Sequence, residues 1–254
     1  MKKINILLTN DDGFHAEGIQ TLFNFLKDIS RVTIIAPDRE RSAVGHGITM
    51  HQPLRAAQIQ INDSTHYLIN GTPADCVKLG VEYLMKNNPP DIVISGINRG
   101  PNLGGDILYS GTVSAAVEGT FYKIPSLAAS LSDYGQADFS PAAVFIRNNL
   151  NQLLELANKA TLNLNFPALK TDGNYNGVRF TRLGVRLYQN VFEERIDPRG
   201  QSYYWMGGEP VQCIQDPDTD IQAVNDGFIS ITPLQLDLTD TNFLVNIGNN
   251  SFVI

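Results

Sequence analysis

Two adjacent carboxylates, Asp11 and Asp12, directly follow the short apolar run INILLT. Such a run is typical of a strand that is buried on both faces of a sheet. Neighbouring carboxylates repel each other, so one pKa rises unless a cation neutralises the pair. Their hard oxygen atoms favour Mg²⁺, Mn²⁺ or Ca²⁺ over zinc. The pair could therefore bind a divalent ion, or it could form an Asx turn that caps a helix beginning near Ala16.

A glycine-rich segment, SGINRGPNLGGDILYSGTVSAAVEG, follows a second apolar run, DIVISG, and continues into a predicted helix. The free N–H groups and the positive end of a helix N-terminus can hold an anion such as phosphate. A loop that needs its glycines only for turns is the alternative, although long loops of this composition are usually functional or disordered. The candidate phosphate-binding residues are Asn98, Asn102, Ser110, Gly111, Thr112 and Ser114.

A third polar loop, APDRERSAVGHGIT, follows the apolar run VTIIAP. Arg39 or Arg41 could pair with a phosphate, and Ser42 adds a hydroxyl group at the same edge of the predicted sheet. Solvated charges and a turn serine are the alternatives. His46 could act as an acid or base, or it could be an ordinary hydrogen-bonded histidine.

Several familiar motifs are absent from the sequence. Asp106 stands where a P-loop needs lysine, no GxGxxG follows a strand, and there is no HExxH. The order NDDG differs from the DxD of haloacid-type phosphatases. Cys76 and Cys213 form neither a CxxC pair nor a disulfide framework, which fits a reducing compartment.

The elements around these loops alternate between strands and helices over roughly the first two-thirds of the chain. This alternation predicts βαβ units, and we expect an α/β fold: a doubly wound, Rossmann-like three-layer sandwich with a mostly parallel sheet. Ligands in such folds bind at the carboxyl ends of the strands. The predicted strands are INILLT, VTIIAP, DIVISG and IPSLAAS, and the predicted helices are EGIQTLFNFLKDI, TPADCVKLGVEYLMK (capped by Thr72), SGTVSAAVEGTFY and the long SPAAVFIRNNLNQLLELANKA.

After about Asn165 the pattern changes to a long hairpin around the turn signal Asp197-Pro198-Arg199-Gly200. We predict a single domain over 1–254 with a protruding hairpin arm at 178–210, followed by a last strand in DGFISITPLQLDL. The arm carries aromatic side chains (Tyr203, Tyr204 and Trp205) with little core of their own. We expect them to pack on a second subunit.

The composition sets outer limits on the function. A chain of 254 residues with 43% apolar and 18% charged residues suits one large α/β domain. The net charge of −7 disfavours binding to nucleic-acid polymers or anionic membranes. The first apolar run is too short for a signal peptide, and no segment approaches the ~18 apolar residues of a membrane span. We therefore expect a cytoplasmic protein.

Five segments together resemble one family. TNDDG, APDRERS, NGTPADCV, the glycine-rich segment and DGFISITPLQLDLTD occur here in the order and context of the SurE family of stationary-phase survival proteins. The members of that family are metal-dependent nucleoside-monophosphate phosphatases. The resemblance extends over nearly the whole chain.

The resemblance implies one divalent metal ion per subunit (Mg²⁺, Mn²⁺ or Ca²⁺), bound by Asp11, Asp12, Ser42 and Asn98. It also implies a homodimer or homotetramer built by exchanged C-terminal elements. The implied activity is hydrolysis of nucleoside 5′- and 3′-monophosphates, often with some action on short polyphosphate. Asp12 and Asp11 would be the catalytic carboxylates, with Asp12 accepting the proton of the attacking water. A nucleotide-binding sensor with little turnover is the alternative.

The chain departs from the family pattern at two places. The run Ala43-Val44-Gly45-His46 follows Ser42 where a glycine-rich run with asparagine is common, and Gly105 stands where an acid or threonine is frequent. Neither change touches the expected metal ligands. Both leave the base preference open.

Overall fold

The structure is a computed structural model that describes residues 3–61, 63–135, 138–169, 173–211 and 215–246. Strands account for much of these residues, and most of them belong to one sheet. In chain order they are β1 (Asn5–Thr9), β2 (Arg31–Pro37), β3 (Ala56–Ile61), β4 (Ser64–Ile69), β5 (Ile92–Arg99), β6 (Ser126–Ser132), β7 (Thr161–Pro167), β8 (Val178–Phe180), β9 (Tyr188–Gln189), β10 (Phe192–Ile196), β11 (Ser202–Met206), β12 (Glu209–Pro210) and β13 (Ile229–Leu234).

Helices connect most of these strands. They are α1 (Glu17–Leu26), α2 (Pro73–Leu79), α3 (Gly111–Phe121), α4 (Ser140–Asn148), α5 (Leu150–Ala157), α6 (Asp220–Asn225) and α7 (Thr241–Asn246). A π-helical turn, Gly80–Leu84, follows α2, and a 3₁₀ turn, Gly104–Leu108, precedes α3. In the described ranges no helix is both long and apolar enough to cross a membrane.

The central sheet has the strand order β3-β4-β2-β1-β5-β6-β7-β13-β8 within the described chain. The six strands from β4 to β7 in that order are parallel, whereas β3 and β13 pair antiparallel with their neighbours β4 and β7. Helices cover both faces of the sheet. The predicted fold class, a three-layer α/β sandwich with a mostly parallel sheet, is confirmed.

Strand β1 shows why the apolar runs in this sequence are nearly continuous. Ile6 and Leu8 pack in the core on one face of the sheet, together with residues of α1. Leu7 points to the other face and packs with Cys76 and Val77 of α2. A parallel strand buried on both faces has no polar side to show in its sequence.

The predicted start of α2 at Thr72 is confirmed. The Thr72 hydroxyl accepts a hydrogen bond from the Asp75 amide (3.1 Å), and the Asp75 carboxylate accepts one from the Thr72 amide (2.9 Å). This reciprocal pair is a capping box, and Pro73 occupies the first helical position.

One predicted helix was wrong, and one hairpin elsewhere in the chain was missed. The predicted long helix after Ser140 is two helices: α4 ends at Asn148, because the backbone of the next residue, Asn149 (φ −111°, ψ 14°), leaves the helical region. The Asn149 side chain donates to the carbonyl of Phe145 (2.8 Å), which ends the first helix locally. The antiparallel hairpin of β3 and β4 was not predicted at all. Its strands are largely exposed or half-buried and carry polar residues such as Gln58 and Thr65.

The predicted hairpin turn at Asp197 is confirmed: β10 and β11 pair antiparallel across it, and Gly200 donates to the Asp197 carbonyl at φ +83°. Strands β9 and β12 form a second short ladder closer to the core. The arm boundary predicted at 178 lies within the main sheet, because Val178–Phe180 pairs parallel with β13. The Thr181 hydroxyl, bonded to Ser230 and Thr232, fixes this segment there.

Candidate active site

The chain runs from β1 through α1 to β2 on one side of β1, and β5 then lies on the other side. The carboxyl ends of β1 and β5 therefore border the point at which the strand order reverses, where doubly wound sheets bind ligands. A cleft of about 380 Å³ opens at this point. Its lining residues are Asp11, Asp12, Glu40, Ser42, Ala43, Asn98, Arg99, Gly100, Pro101, Asn102, Asp106, Tyr109, Ser110 and Tyr134.

Asp11 forms the deepest described carboxylate of the cleft and is only 5% exposed. Its Oδ1 atom accepts a hydrogen bond from the Thr112 hydroxyl. Gly111 packs against it so closely that a Cβ there would lie 2.8 Å from the Asp11 Cβ. Burial raises the pKa of Asp11 to about 6 despite the Thr112 hydrogen bond, and the charge of Asp12 adds to the rise.

Asp12 lies beside Asp11 and accepts a hydrogen bond from the Arg99 amide at the end of β5 (3.1 Å). Burial raises the pKa of its carboxyl group. The hydrogen bond from Arg99 opposes this rise, whereas the nearby negative charge of Glu40 adds to it. Both members of the pair are therefore held in surroundings that disfavour negative charge, which is the situation that a bound cation relieves.

Ser42 faces the same cleft from the loop after β2, and Asn98 faces it from the end of β5. The Ser42 hydroxyl donates to Glu40 (2.7 Å), which leaves its oxygen lone pairs for a further partner. The Asn98 amide nitrogen donates to the carbonyl of Gly100 (2.9 Å), so the amide oxygen is the atom that could bind a cation. The predicted metal ligands Asp11, Asp12, Ser42 and Asn98 are thus all brought to one cleft.

Asn102 is held from behind the cleft by buried amide groups. Asn163 and Asn165 on β7 both donate to its carbonyl oxygen (2.9 Å each), and its own side chain donates to Ser130 on β6 (2.7 Å). A buried polar network of this kind fixes the loop backbone. The Asn102 amide also donates to the Asn165 side chain (2.9 Å), so the backbone N–H, the carbonyl and the side-chain nitrogen of Asn102 are all used within that network.

The residues at the start of α3 lie at different depths. Ser110 lines the cleft and caps the helix by accepting a hydrogen bond from the Val113 amide (3.1 Å). The Thr112 hydroxyl is engaged with Asp11, and the Ser114 hydroxyl donates back to the Ser110 carbonyl (2.6 Å). Ser110 and its backbone are therefore brought to the cleft, whereas the hydroxyls of Thr112 and Ser114 are used within the fold.

The charges of the cleft are mainly negative. Its lining includes the carboxylates of Asp11, Asp12, Glu40 and Asp106, against one arginine, Arg99. That guanidinium group is drawn away to Glu17 (3.0 Å). Arg41 does not line the cleft, and its Nη2 atom donates to the Asn70 carbonyl (2.8 Å).

The oxygen-rich donor set fits a hard divalent cation such as Mg²⁺, Mn²⁺ or Ca²⁺. Within the described ranges no group of three or more histidine, cysteine, aspartate or glutamate side chains could hold a metal ion. The two carboxylates would therefore need neutral oxygens to complete the set, and those of Ser42 and Asn98 are at hand.

Comparison with known proteins agrees with this geometry. Residues 6–190 match the family described as Survival protein SurE. The chain belongs to the SurE family. It is 48% identical over 240 residues to 5′-nucleotidase SurE of Alkaliphilus metalliredigens, covering 93% of this chain and 94% of that protein. It is 51% identical over 241 residues to the 5′-nucleotidase SurE of Pelotomaculum thermopropionicum, and the match covers 93% of this chain and 91% of that protein.

A crystal structure of the SurE protein from Aquifex aeolicus superimposes with a TM-score of 0.83 at 40% identity, covering 95% of this chain and 97% of that one. The SurE fold thus extends through nearly all of the chain. The resemblance drawn from the sequence motifs is confirmed.

Sequence reasoning missed the buried carboxylate of Glu118, which supports the loop after Ser42 in this SurE-family chain. Glu118 on α3 accepts hydrogen bonds from both His46 and Lys78 (2.8 Å each). His46, considered above as an acid or base, is thus held outside the cleft. Glu118 looked like one more surface residue in a helix of small residues, and only the topology shows that His46 lies over it.

Sequence reasoning also missed the root of the arm, by which we mean residues 184–188. Tyr188 donates to Asp106 (2.6 Å), and Arg186 pairs with the same carboxylate (3.0 Å). Buried Asp220 accepts hydrogen bonds from the amides of Gly104 and Gly184 (2.8 Å each). These contacts join the 3₁₀ turn beside the cleft to residues about 80 positions later in the chain.

Proposed function

We propose that the protein is a metal-dependent phosphomonoesterase that hydrolyses nucleoside 5′- and 3′-monophosphates to nucleoside and phosphate. The observation that carries the proposal is the adjacent pair of buried Asp11 and half-buried Asp12 at the point where the strand order reverses, with neutral oxygen donors beside it. The relatives named 5′-nucleotidase SurE, about half identical over most of the chain, support the same activity.

The charge distribution supports the need for a metal ion. A nucleotide phosphate is an anion, and the cleft that would receive it is lined by four carboxylates without a free arginine among its described residues. Such a cleft repels the substrate unless a cation is present. A divalent ion bound by Asp11, Asp12, Ser42 and Asn98 would supply Lewis-acid polarisation of the phosphate and would lower the pKa of the attacking water.

The protein groups have separate tasks in this reaction. Asp11 is fixed by Thr112 and serves mainly as an anchor for the cation. Asp12 uses Oδ2 for the Arg99 amide, which leaves Oδ1 to accept the proton of the attacking water. Ser110, the preceding loop backbone and the Gly111 region would position the remaining phosphate oxygens at the start of α3.

The hydrolysis that we propose is direct attack by water. The Ser42 hydroxyl points its proton at Glu40, and the Ser110 hydroxyl is occupied as a helix cap. The Cys76 thiol is completely buried on α2, and burial raises its pKa well above the usual value, so it is not a nucleophile. The Ser42 hydroxyl does have a base beside it, Glu40, but its oxygen is assigned to the cation, so water is the nucleophile that we propose.

The same proposal includes the oligomeric state and the cellular location of the protein. The chain would act as one domain over 1–254, forming a homodimer or homotetramer through the arm, in the cytoplasm, as its cysteine usage suggests. Short polyphosphate is a second candidate substrate. A sensor that binds nucleotide with little turnover fits the same donor set and is separated from an enzyme by kinetics alone.

Phosphate release from AMP, GMP and the corresponding 3′-nucleotides, measured with Mg²⁺, Mn²⁺, Ca²⁺ or a chelator, tests the proposal. We expect turnover with at least one of the ions and none with chelator. Asp12→Asn should lower kcat by about 100-fold or more, because it removes the base. Glu155→Gln, an exposed carboxylate on α5, is the matched control and should leave kcat unchanged.

Two outcomes would contradict the proposal. Full activity in the presence of chelator would exclude the metal requirement. Tight nucleotide binding without phosphate release under every metal would establish the sensor instead.

A further inference from the structure

Two exposed tyrosine rings flank the mouth of the cleft. Tyr109 follows the 3₁₀ turn and is 68% exposed, and Tyr134 follows β6 and is 73% exposed. Both line the cleft that holds the Asp11 and Asp12 carboxylates, yet they come from different loops. Exposed aromatic rings at the edge of an acidic cleft are suited to stacking on a ligand that has an aromatic face.

Each ring is carried by a well-held backbone. Tyr134 packs against Gly100, where a Cβ would lie 2.6 Å from the ring atom Cε1. The Tyr109 amide donates to the Asp106 carbonyl (3.0 Å), and the Tyr109 carbonyl accepts from the Gly45 amide (3.0 Å). The rings are thus placed by their loops.

Neither tyrosine has a task inside the described part of the chain. Their hydroxyl groups make no hydrogen bond to a described residue, and neither ring stacks on another described ring. The Tyr188 hydroxyl, by contrast, donates a hydrogen bond to Asp106. The faces of Tyr109 and Tyr134 are therefore available to a ligand.

We propose that Tyr109 and Tyr134 form a subsite that stacks the nucleobase of the substrate. This inference rests on the proposed function, because a phosphate held at Asp11 and Asp12 directs the nucleoside toward the mouth of the cleft. Stacking is tolerant of base identity, since every base has a π-face. The subsite therefore accepts purines and pyrimidines and favours the larger purine ring.

The subsite is tested by comparing a nucleotide with a phosphomonoester that lacks a base. The wild type and the variants Tyr109→Ala, Tyr134→Ala and the double variant are assayed with AMP and with ribose 5-phosphate. We expect KM for AMP to rise about 10-fold in a single variant, as the loss of one stacking contact implies, with kcat nearly unchanged. KM for ribose 5-phosphate should stay at the wild-type value.

Matched controls identify stacking as the cause. Tyr109→Phe and Tyr134→Phe keep the ring and should keep the wild-type KM for AMP. Tyr83→Ala removes an equally exposed tyrosine from the π-helical turn after α2 and should change nothing.

Different failures point to different proposals. The stacking subsite is wrong if the alanine variants hydrolyse AMP with an unchanged KM. It is also wrong if their KM for ribose 5-phosphate rises as much as their KM for AMP. Neither result contradicts the proposed phosphatase activity. If the wild type releases phosphate from neither compound, the proposed enzyme fails. The affinities for AMP and ribose 5-phosphate, measured by calorimetry, then decide the subsite by themselves: equal loss for both compounds overturns it.

Discussion

At the scale of single residues, Thr112 shows that the site depends on groups that do not line the cleft. Its side chain is completely buried, and its hydroxyl donates to the Oδ1 atom of Asp11. The same hydrogen bond favours the charged form of a carboxylate whose burial disfavours charge. Thr112 therefore orients an expected metal ligand and keeps it ready to bind a cation.

Replacing Thr112 by valine should weaken divalent-ion binding by about 10-fold or more, because valine keeps the shape and removes the hydroxyl. Titration calorimetry with Mn²⁺ measures this affinity without relying on turnover. Thr112→Ser retains the donor and should bind Mn²⁺ nearly as well as the wild type. Equal Mn²⁺ affinity in the valine variant would show that the hydrogen bond has no orienting role.

The acidic pair could be singled out from the sequence because it follows a predicted buried strand, and parallel strands end at one edge. Ser42 and Asn98 were expected as ligands only from the family resemblance. The part played by Thr112 could not be found from the sequence. A threonine near a helix start is as well suited to a phosphate as to a neighbouring carboxylate, and only the fold decides that Asp11 lies within reach. Asp106 was missed for a similar reason, since its arginine and tyrosine partners lie in the distant arm.

At the scale of elements, α3 connects two loops of the site. Its first turn is capped by Ser110 beside the cleft, and its middle carries Glu118, which is only 4% exposed. Burial alone would raise the pKa of Glu118, but the hydrogen bonds from His46 and Lys78 outweigh it and lower the pKa. The hydrogen bond from His46 thereby fastens the loop after Ser42 to the helix.

The charge of Glu118 should make stability depend on pH. A carboxyl group with a lowered pKa in the folded state contributes stability above its unfolded pKa, about 4.3, and loses it as the pH falls through the folded value. Glu118→Gln should therefore be less stable than the wild type at pH 7, by about 1–2 kcal/mol, because His46 and Lys78 lose their carboxylate. The difference in the free energy of unfolding should become smaller at acidic pH, because Glu118 of the wild type is then protonated.

Denaturant unfolding at pH 7 and at pH 3.5 measures the free energy of unfolding of the wild type and of Glu118→Gln. Glu155→Gln, which removes an exposed carboxylate, is the reference for a change of charge alone. A stability difference for Glu118→Gln that is the same at both pH values would mean that the lost contribution is packing rather than charge.

The sequence predicted elements best where burial is complete. Continuous apolar runs indicated β1, β2 and β5, because these strands are covered on both faces. The hairpin of β3 and β4 lies at the sheet edge with polar, half-exposed strands, so its pattern resembled a loop. The break at Asn149 was hidden because apolar spacing continues through it, although the backbone does not.

At the scale of the whole molecule, the arm exposes more apolar surface than it can bury by itself. Trp205 is 57% and Met206 is 72% exposed, and Phe192 and Ile196 on the facing strand are also exposed. A two-stranded ribbon has little independent stability in water. The exposed side chains fit an interface with another subunit, as the sequence predicted from the aromatic run.

Trp205→Glu should therefore lower the mass of the assembly, because it places a charge in the apolar surface of β11. Light scattering coupled to size-exclusion chromatography measures the mass, and thermal unfolding checks that the fold is kept. Tyr83→Glu, an exposed aromatic residue away from the arm, serves as the control. A Trp205→Glu protein with the mass of the wild type would exclude this surface from the interface.

The root of the arm has a consequence for how the protein can evolve. Asp106 lines the cleft but is held by Arg186 and Tyr188, which belong to the same segment as the arm. Mutations that adapt the arm to a new partner must keep a donor for Asp106. Substitutions in the arm and substitutions that alter the cleft should therefore be coupled through Asp106. In an alignment of relatives we expect position 106 to covary with positions 186 and 188.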